Sequence, residues 1–196
     1  MKARAMITMA AIFGSSVWAA KSDGPKVTIC IKASGHEAEV VSAAATSASK
    51  LLRSAGVTLE WHTNSRTCLG QGDQVMIVSL STDTPKTFHP GALAYALPYE
   101  GVHIQVFYDR IAQSTPELLP HLLALVVVHE VTHILQGIDR HSSSGIMKAQ
   151  WSTYDFTLMK RDQLRFTDSD VDLIHNGLAK RADRGVKGAI AAANAR

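Results

Sequence analysis

Cysteine occurs only twice in this chain, at Cys30 and Cys68, too few for a four-cysteine zinc cage or a disulfide-dense miniature domain. A large excess of one charge is also missing. The 20 Lys and Arg stand against 17 Asp and Glu, so no nucleic-acid or anionic-membrane surface is expected. The main apolar run, Leu118 to Val128, is interrupted by Pro120 and His121 and falls short of the roughly 20 residues that a membrane span needs. Internal repeats and long Gly, Ser or Pro linkers are absent too, which leaves room for one domain over residues 21–196.

What is present begins with Lys2 and Arg4, an uncharged and mostly apolar stretch, and small residues at Ala19 and Ala20. Residues 1–20 therefore read as a secretory signal peptide, with export to the periplasm or the medium of a bacterium. Loss of that leader would remove two basic residues and bring the charge balance closer to neutral. In an exported chain Cys30 and Cys68 are expected to pair, two buried free thiols being the alternative.

Periodicity predicts a strand at Lys26 to Ile31, then a helix from Glu37 to Ala55 with Val41, Ala44, Ala48, Leu51 and Leu52 inward. Further strands are predicted at Val57 to His62, Gln74 to Leu80, Ala92 to Leu97 and Val102 to Tyr108. A second long helix follows, with Pro120 in its first turn and Gly137 as its C-terminal stop. A last helix starts after Thr167, which with Asp170 suits an N-terminus, and the basic, alanine-rich end, about 181–196, is expected to fray.

The second long helix carries HEVTH, His129 to His133. Residues four apart share a helical face, so both imidazoles can ligate one tetrahedral Zn²⁺ at roughly 2.0–2.1 Å. Glu130 sits one position round, beside the metal and not on it, where a carboxylate can take the proton of an activated water. Two histidines and a glutamate in so apolar a helix would be costly without partners, which argues against satisfied core histidines with no metal. Two residues compete for the third ligand position, Asp139 and His141. Imidazole chemistry favours His141, while Asp139 can remain solvated.

The run HEVTHILQGIDRHSSSGIM, His129 to Met147, resembles the metzincin zinc proteases, the matrixins among them, which carry HExxHxxGxxH and then a methionine in a tight turn beneath the metal. Here the glycine comes four residues after the second histidine and His141 eight after it, against three and six in that pattern. Ser142 follows His141 as in matrixins, and SSSGIMKAQW resembles the methionine turn. The stretch from Leu118 to Trp151 is also similar to secreted bacterial metalloproteases that read HEIGHLLLG, a histidine followed by serine, and GIMRAxW.

The resemblance implies an α+β, metzincin-like fold: a twisted mixed five-stranded sheet, a long first helix, an active-site helix, and a C-terminal helix after the methionine turn. It implies one catalytic Zn²⁺ on His129, His133 and His141, Glu130 as general base, and Met147, Gly137 and Gly145 as structural support. It also gives Ala92, Leu93, Ala94, Tyr95 and Ala96 the role of an edge strand that pairs with an extended peptide, although an ordinary edge strand has the same pattern. The expected partner is a peptide or protein substrate, acted on by a monomer with no membrane attachment once the leader is removed. A secreted zinc-containing binding module and a zinc hydrolase of another amide are the competing readings.

Overall fold

The computed structural model describes residues 24–33, 36–63, 68 and 75–194, with side chains as far as 184. The predicted leader, residues 1–20, lies outside them.

Strand β1 (Lys26–Ile31) is mostly apolar after Lys26, with Thr28 the polar exception, and is buried from its second residue on. Such runs suit the middle of a parallel sheet, where both faces are covered. Helix α1 (His36–Ser54) follows and turns Val40, Val41, Ala44, Ala48 and Leu52 inward. Strands β2 (Thr58–His62), β3 (Val75–Ser81), β4 (Ala94–Ala96) and β5 (His103–Phe107) complete one five-stranded sheet in the order β2-β1-β3-β5-β4. The first four in that order pair in parallel, and β4 runs antiparallel to β5 at the end of the sheet. The disulfide joins Cys30 of β1 to Cys68, with Cα atoms 6.0 Å apart.

The fourth and fifth strands differ from the sequence expectation. The fourth strand is three residues long, not six, because Leu93 and Leu97 stand at the ends of a short ladder with β5 and Pro98 follows. Strand β5 also ends one residue early: Tyr108 opens a short helix, α2 (Tyr108–Ser114), whose Phe107 N-cap makes no side-chain bond.

After a 3-10 turn at Pro116–Leu118, helix α3 (Leu119–Gln136) is buried without interruption from Leu122 to Gln136. By length and composition Pro116–Gln136 would serve as a membrane span, contrary to the shorter run expected, but 83% of its apolar window is buried inside the protein. A helix apolar on all sides belongs in a core. It ends at Gly137, φ +68°, whose N–H returns to the His133 carbonyl at 2.9 Å.

Helix α4 (Thr153–Lys160), not foreseen from the sequence, starts at a reciprocal box between Ser152 and Asp155. Helix α5 (Asp168–Asn194) then packs across α3. There Gly177 lies so close that an added Cβ would be 1.7 Å from the Leu135 carbonyl oxygen. Helix α5 runs to Asn194, and within it Arg181 is buried, donating to the Gly101 carbonyl at 3.3 Å. The core joins sheet, α1, α3 and the inner face of α5.

Candidate metal centre

Helix α3 brings His129 and His133 together because they lie one turn apart on one face. Their Nε2 atoms are 3.0 Å apart. His129 Nδ1 lies 3.0 Å from the Ile146 carbonyl oxygen, and His133 Nδ1 lies 3.3 Å from that of Ile138. A carbonyl only accepts, so each ring carries its proton on Nδ1 and presents a bare lone pair at Nε2. Two facing lone pairs cannot hydrogen-bond to each other. A cation placed against both resolves the conflict, and tetrahedral ligands at 2.0–2.1 Å would lie roughly 3.3 Å apart.

His141 supplies the third ring. Its centroid is 5.2 Å from that of His129 and 4.9 Å from that of His133. One nitrogen from each of the three lies within 4.8 Å of the others, so the group could hold a single metal ion. Asp139 is exposed and lies outside this cluster. The donor set, three imidazoles with an open side, suits zinc.

Electrostatics favour ligation. Burial pushes His129 down to about 4, against the bond to Ile146, and the neighbouring rings push the same way. Burial likewise lowers His133. Both rings are therefore neutral near pH 7, the form that binds metal.

Glu130 is 9% exposed. Burial raises its carboxyl to about 7, the Ala96 N–H opposes this, and the charge of Asp139 adds to it. A carboxyl titrating near neutrality can both accept and return a proton. The contact with Ala96 also brings Glu130 to the outer edge of β4.

Among the described residues no strand pairs with that edge. Phe107 N–H donates to Leu93, Leu97 N–H to His103, and Tyr95 pairs with Gln105. By alternation Ala94 and Ala96 turn their backbone groups outward. A groove of about 510 Å³ runs between this edge and the metal cluster, lined by Ala92, Leu93, Ala94, Glu130, Trp151 and Phe156 among others. The Tyr95 ring instead stacks with Phe88, 5.6 Å between centroids.

Past His141 the chain doubles back. Ser142 N–H donates to the Met147 carbonyl at 2.7 Å, and Ile146 N–H to Arg165 at 3.0 Å. Gly145 has φ +76°, and a Cβ there would sit 2.3 Å from the Arg165 oxygen, so the bend admits only glycine. Met147 is fully buried beside Ile146. Tyr154 is 69% exposed and lines a different groove. None of His36, His62, His89, His103, His121 and His175 belongs to the cluster.

No protein-family model and no curated protein matches the sequence. Among solved structures, archaemetzincin from Methanopyrus kandleri aligns over 82% of this chain and 99% of its own, with a TM-score of 0.51 and 15% identity. The fold is archaemetzincin-like. Archaemetzincin from Archaeoglobus fulgidus, solved with malonate, aligns over 76% of this chain and 99% of its own, with a TM-score of 0.46 and 16% identity.

Sequence reading missed three parts of the site. The Ile138 and Ile146 carbonyls that orient the rings leave no trace in residue type. Trp151 stands edge-on to His129 at 5.5 Å and donates to the Ile146 oxygen at 3.2 Å. Lys148, in the groove wall, is ion-paired with Asp155; the Ser152–Asp155 spacing is a capping signal that could have marked it.

Proposed function

We propose that the chain is an exported zinc-dependent endopeptidase of metzincin-like type. The observation that carries this reading is the convergence of three imidazole nitrogens within 4.8 Å beside a buried glutamate, in a groove bounded by the outer strand of the sheet. Bound by His129, His133 and His141, Zn²⁺ would supply Lewis acidity to a carbonyl and lower the pKa of a water to roughly 7.

The chain's own residues do the rest. Ala94 N–H and C=O and the Ala96 C=O point outward, and an extended peptide can add to them as an antiparallel strand, the Ala96 N–H being engaged by Glu130. That pairing would bring a peptide bond alongside Glu130 and the histidine cluster, of which His129 and His141 line the same groove as Ala94 of β4. Glu130 takes the proton from the attacking water at its carboxylate and returns it to the leaving amine. Met147 and Gly145 support the bend that carries the Ile146 carbonyl, in the role of the methionine turn. Relation to matrixins and to the secreted bacterial HExxH proteins is supported by the run from Leu118 to Trp151.

Export is supported by the leader-like residues 1–20 and by the Cys30–Cys68 disulfide, a bond that persists in oxidising compartments. Metal analysis of the purified protein, together with cleavage of a quenched peptide library, tests the proposal. Zinc with peptide turnover is expected; zinc without turnover on any peptide or protein would favour a binding module.

A further inference from the structure

His129 and His133 are each oriented by a carbonyl at Nδ1. Among the described residues, no hydrogen bond reaches the ring of His141, which is exposed on the loop after Gly137. Its place must therefore be set through its backbone, by whatever holds its neighbours.

Both neighbours are held by one atom. Arg140 Nη1 and Ser142 Oγ donate to Asp170 Oδ1 at 3.1 and 2.5 Å, and Arg140 Nη1 also reaches Ser142 Oγ at 3.2 Å. The other carboxylate oxygen accepts from Thr167 N–H and Oγ1 at 3.1 and 2.7 Å, which fixes Asp170 in the first turn of α5. Gln136, in the last turn of α3, donates from Nε2 to the Asp170 carbonyl at 3.3 Å. Asp170 is 0% exposed.

A buried carboxylate is expensive unless it is fully paired, and an apolar residue would pack the same space at less cost. Here all four donors are in place. Two come from the residues on either side of His141 and two from Thr167, at the start of the helix that carries Asp170. The spacer between His133 and His141 is two residues longer than in the metzincin pattern, so the α3 helix alone cannot dictate where His141 stands.

We infer that Asp170 is a positioning residue of the metal centre, setting the placement of His141 through Arg140 and Ser142. This rests on the reading of His129, His133 and His141 as metal ligands. Partners one step removed from a metal typically change its affinity tenfold to hundredfold when lost.

The test is zinc affinity by chelator competition on the full mature chain, for wild type, Asp170→Asn, Ser142→Ala, His141→Ala and the two doubles with His141→Ala. Asp170→Asn is expected to weaken zinc by roughly ten- to a hundredfold, and to weaken it no further once His141 is gone. Ser142→Ala removes one hydroxyl and leaves Asp170 paired with Arg140 and Thr167, so it stays informative if Asp170→Asn does not fold. Its loss, several-fold, must also vanish in the His141→Ala background. Equal losses in both backgrounds, or none in a folded variant, would overturn the inference. A wild-type chain that binds no zinc would instead remove the metal reading beneath it.

Discussion

His129 Nδ1 lies 3.0 Å from the carbonyl oxygen of Ile146, seventeen residues further along the chain. This bond settles which nitrogen of the ring faces the cluster. Ile146 is held in turn by its N–H on the Arg165 carbonyl at 3.0 Å, so the tautomer of the first candidate ligand depends on a bend made well outside the helix that carries it.

Trp151 shares that carbonyl, donating from Nε1 at 3.2 Å. Trp151→Phe keeps an aromatic ring, though a smaller one, and removes the donor. A neutral hydrogen bond contributes about 0.5–1.5 kcal/mol, so zinc affinity should fall by up to about tenfold. Chelator competition measures it, and an unchanged affinity would show that the Ile146 carbonyl needs no second donor.

Gly177→Ala should destabilise the fold, although alanine is the better helix former by about 1 kcal/mol. The added carbon would meet the Leu135 backbone oxygen at 1.7 Å, and backbone cannot swing aside as a side chain can. A loss of about 3 kcal/mol is expected, seen as a melting temperature lower by roughly 6–12 °C for a domain of this size. A rise in melting temperature would mean that α5 and α3 do not pack as described.

Asp170 makes stability depend on acid. Burial alone would raise its carboxyl, but the bonds from Ser142, Thr167 and Arg140 together hold it below the ordinary value. A carboxyl depressed in the folded state stabilises above its unfolded pKa, about 3.9, and that contribution is lost as pH falls through the folded value. Urea unfolding of wild type and Asp170→Asn between pH 6 and 3 should show the wild-type advantage shrinking below about pH 4. A difference that stays constant across that range would contradict the sign.

Replacing both Cys30 and Cys68 by alanine opens a loop with a sequence separation of 38. Loss of the cross-link should cost roughly 3–4 kcal/mol. Urea midpoints of the oxidised protein and the double variant give the number, and equal midpoints would mean that the cysteines are not paired in solution.

The parts legible from sequence were those with strong local signals. Helix α1 showed its inward face at Val41, Ala44, Ala48 and Leu52, and α3 showed its stop at Gly137. The first residue of α2, Tyr108, reads as the end of a strand because Phe107 and Tyr108 continue the apolar run of β5 and no capping residue intervenes. Helix α4 did carry a signal, Ser152 three before Asp155, but turns only Asp155 and Met159 fully inward, too few for a periodic pattern. At the site, HEVTH placed two rings and one carboxylate by helical geometry alone. Counting from His133 could not choose between Asp139 and His141, because the loop's course is held by Asp170, 28 residues beyond Ser142.

The most direct measurement is zinc content and peptide hydrolysis, side by side, for the purified mature protein and its Glu130→Ala variant. Both should bind one zinc per chain, and the variant's turnover should fall by at least 10²–10⁴-fold, the usual range for loss of a general acid–base group. Undiminished turnover in the variant, or a zinc-loaded wild type that cleaves nothing, would contradict the assignment.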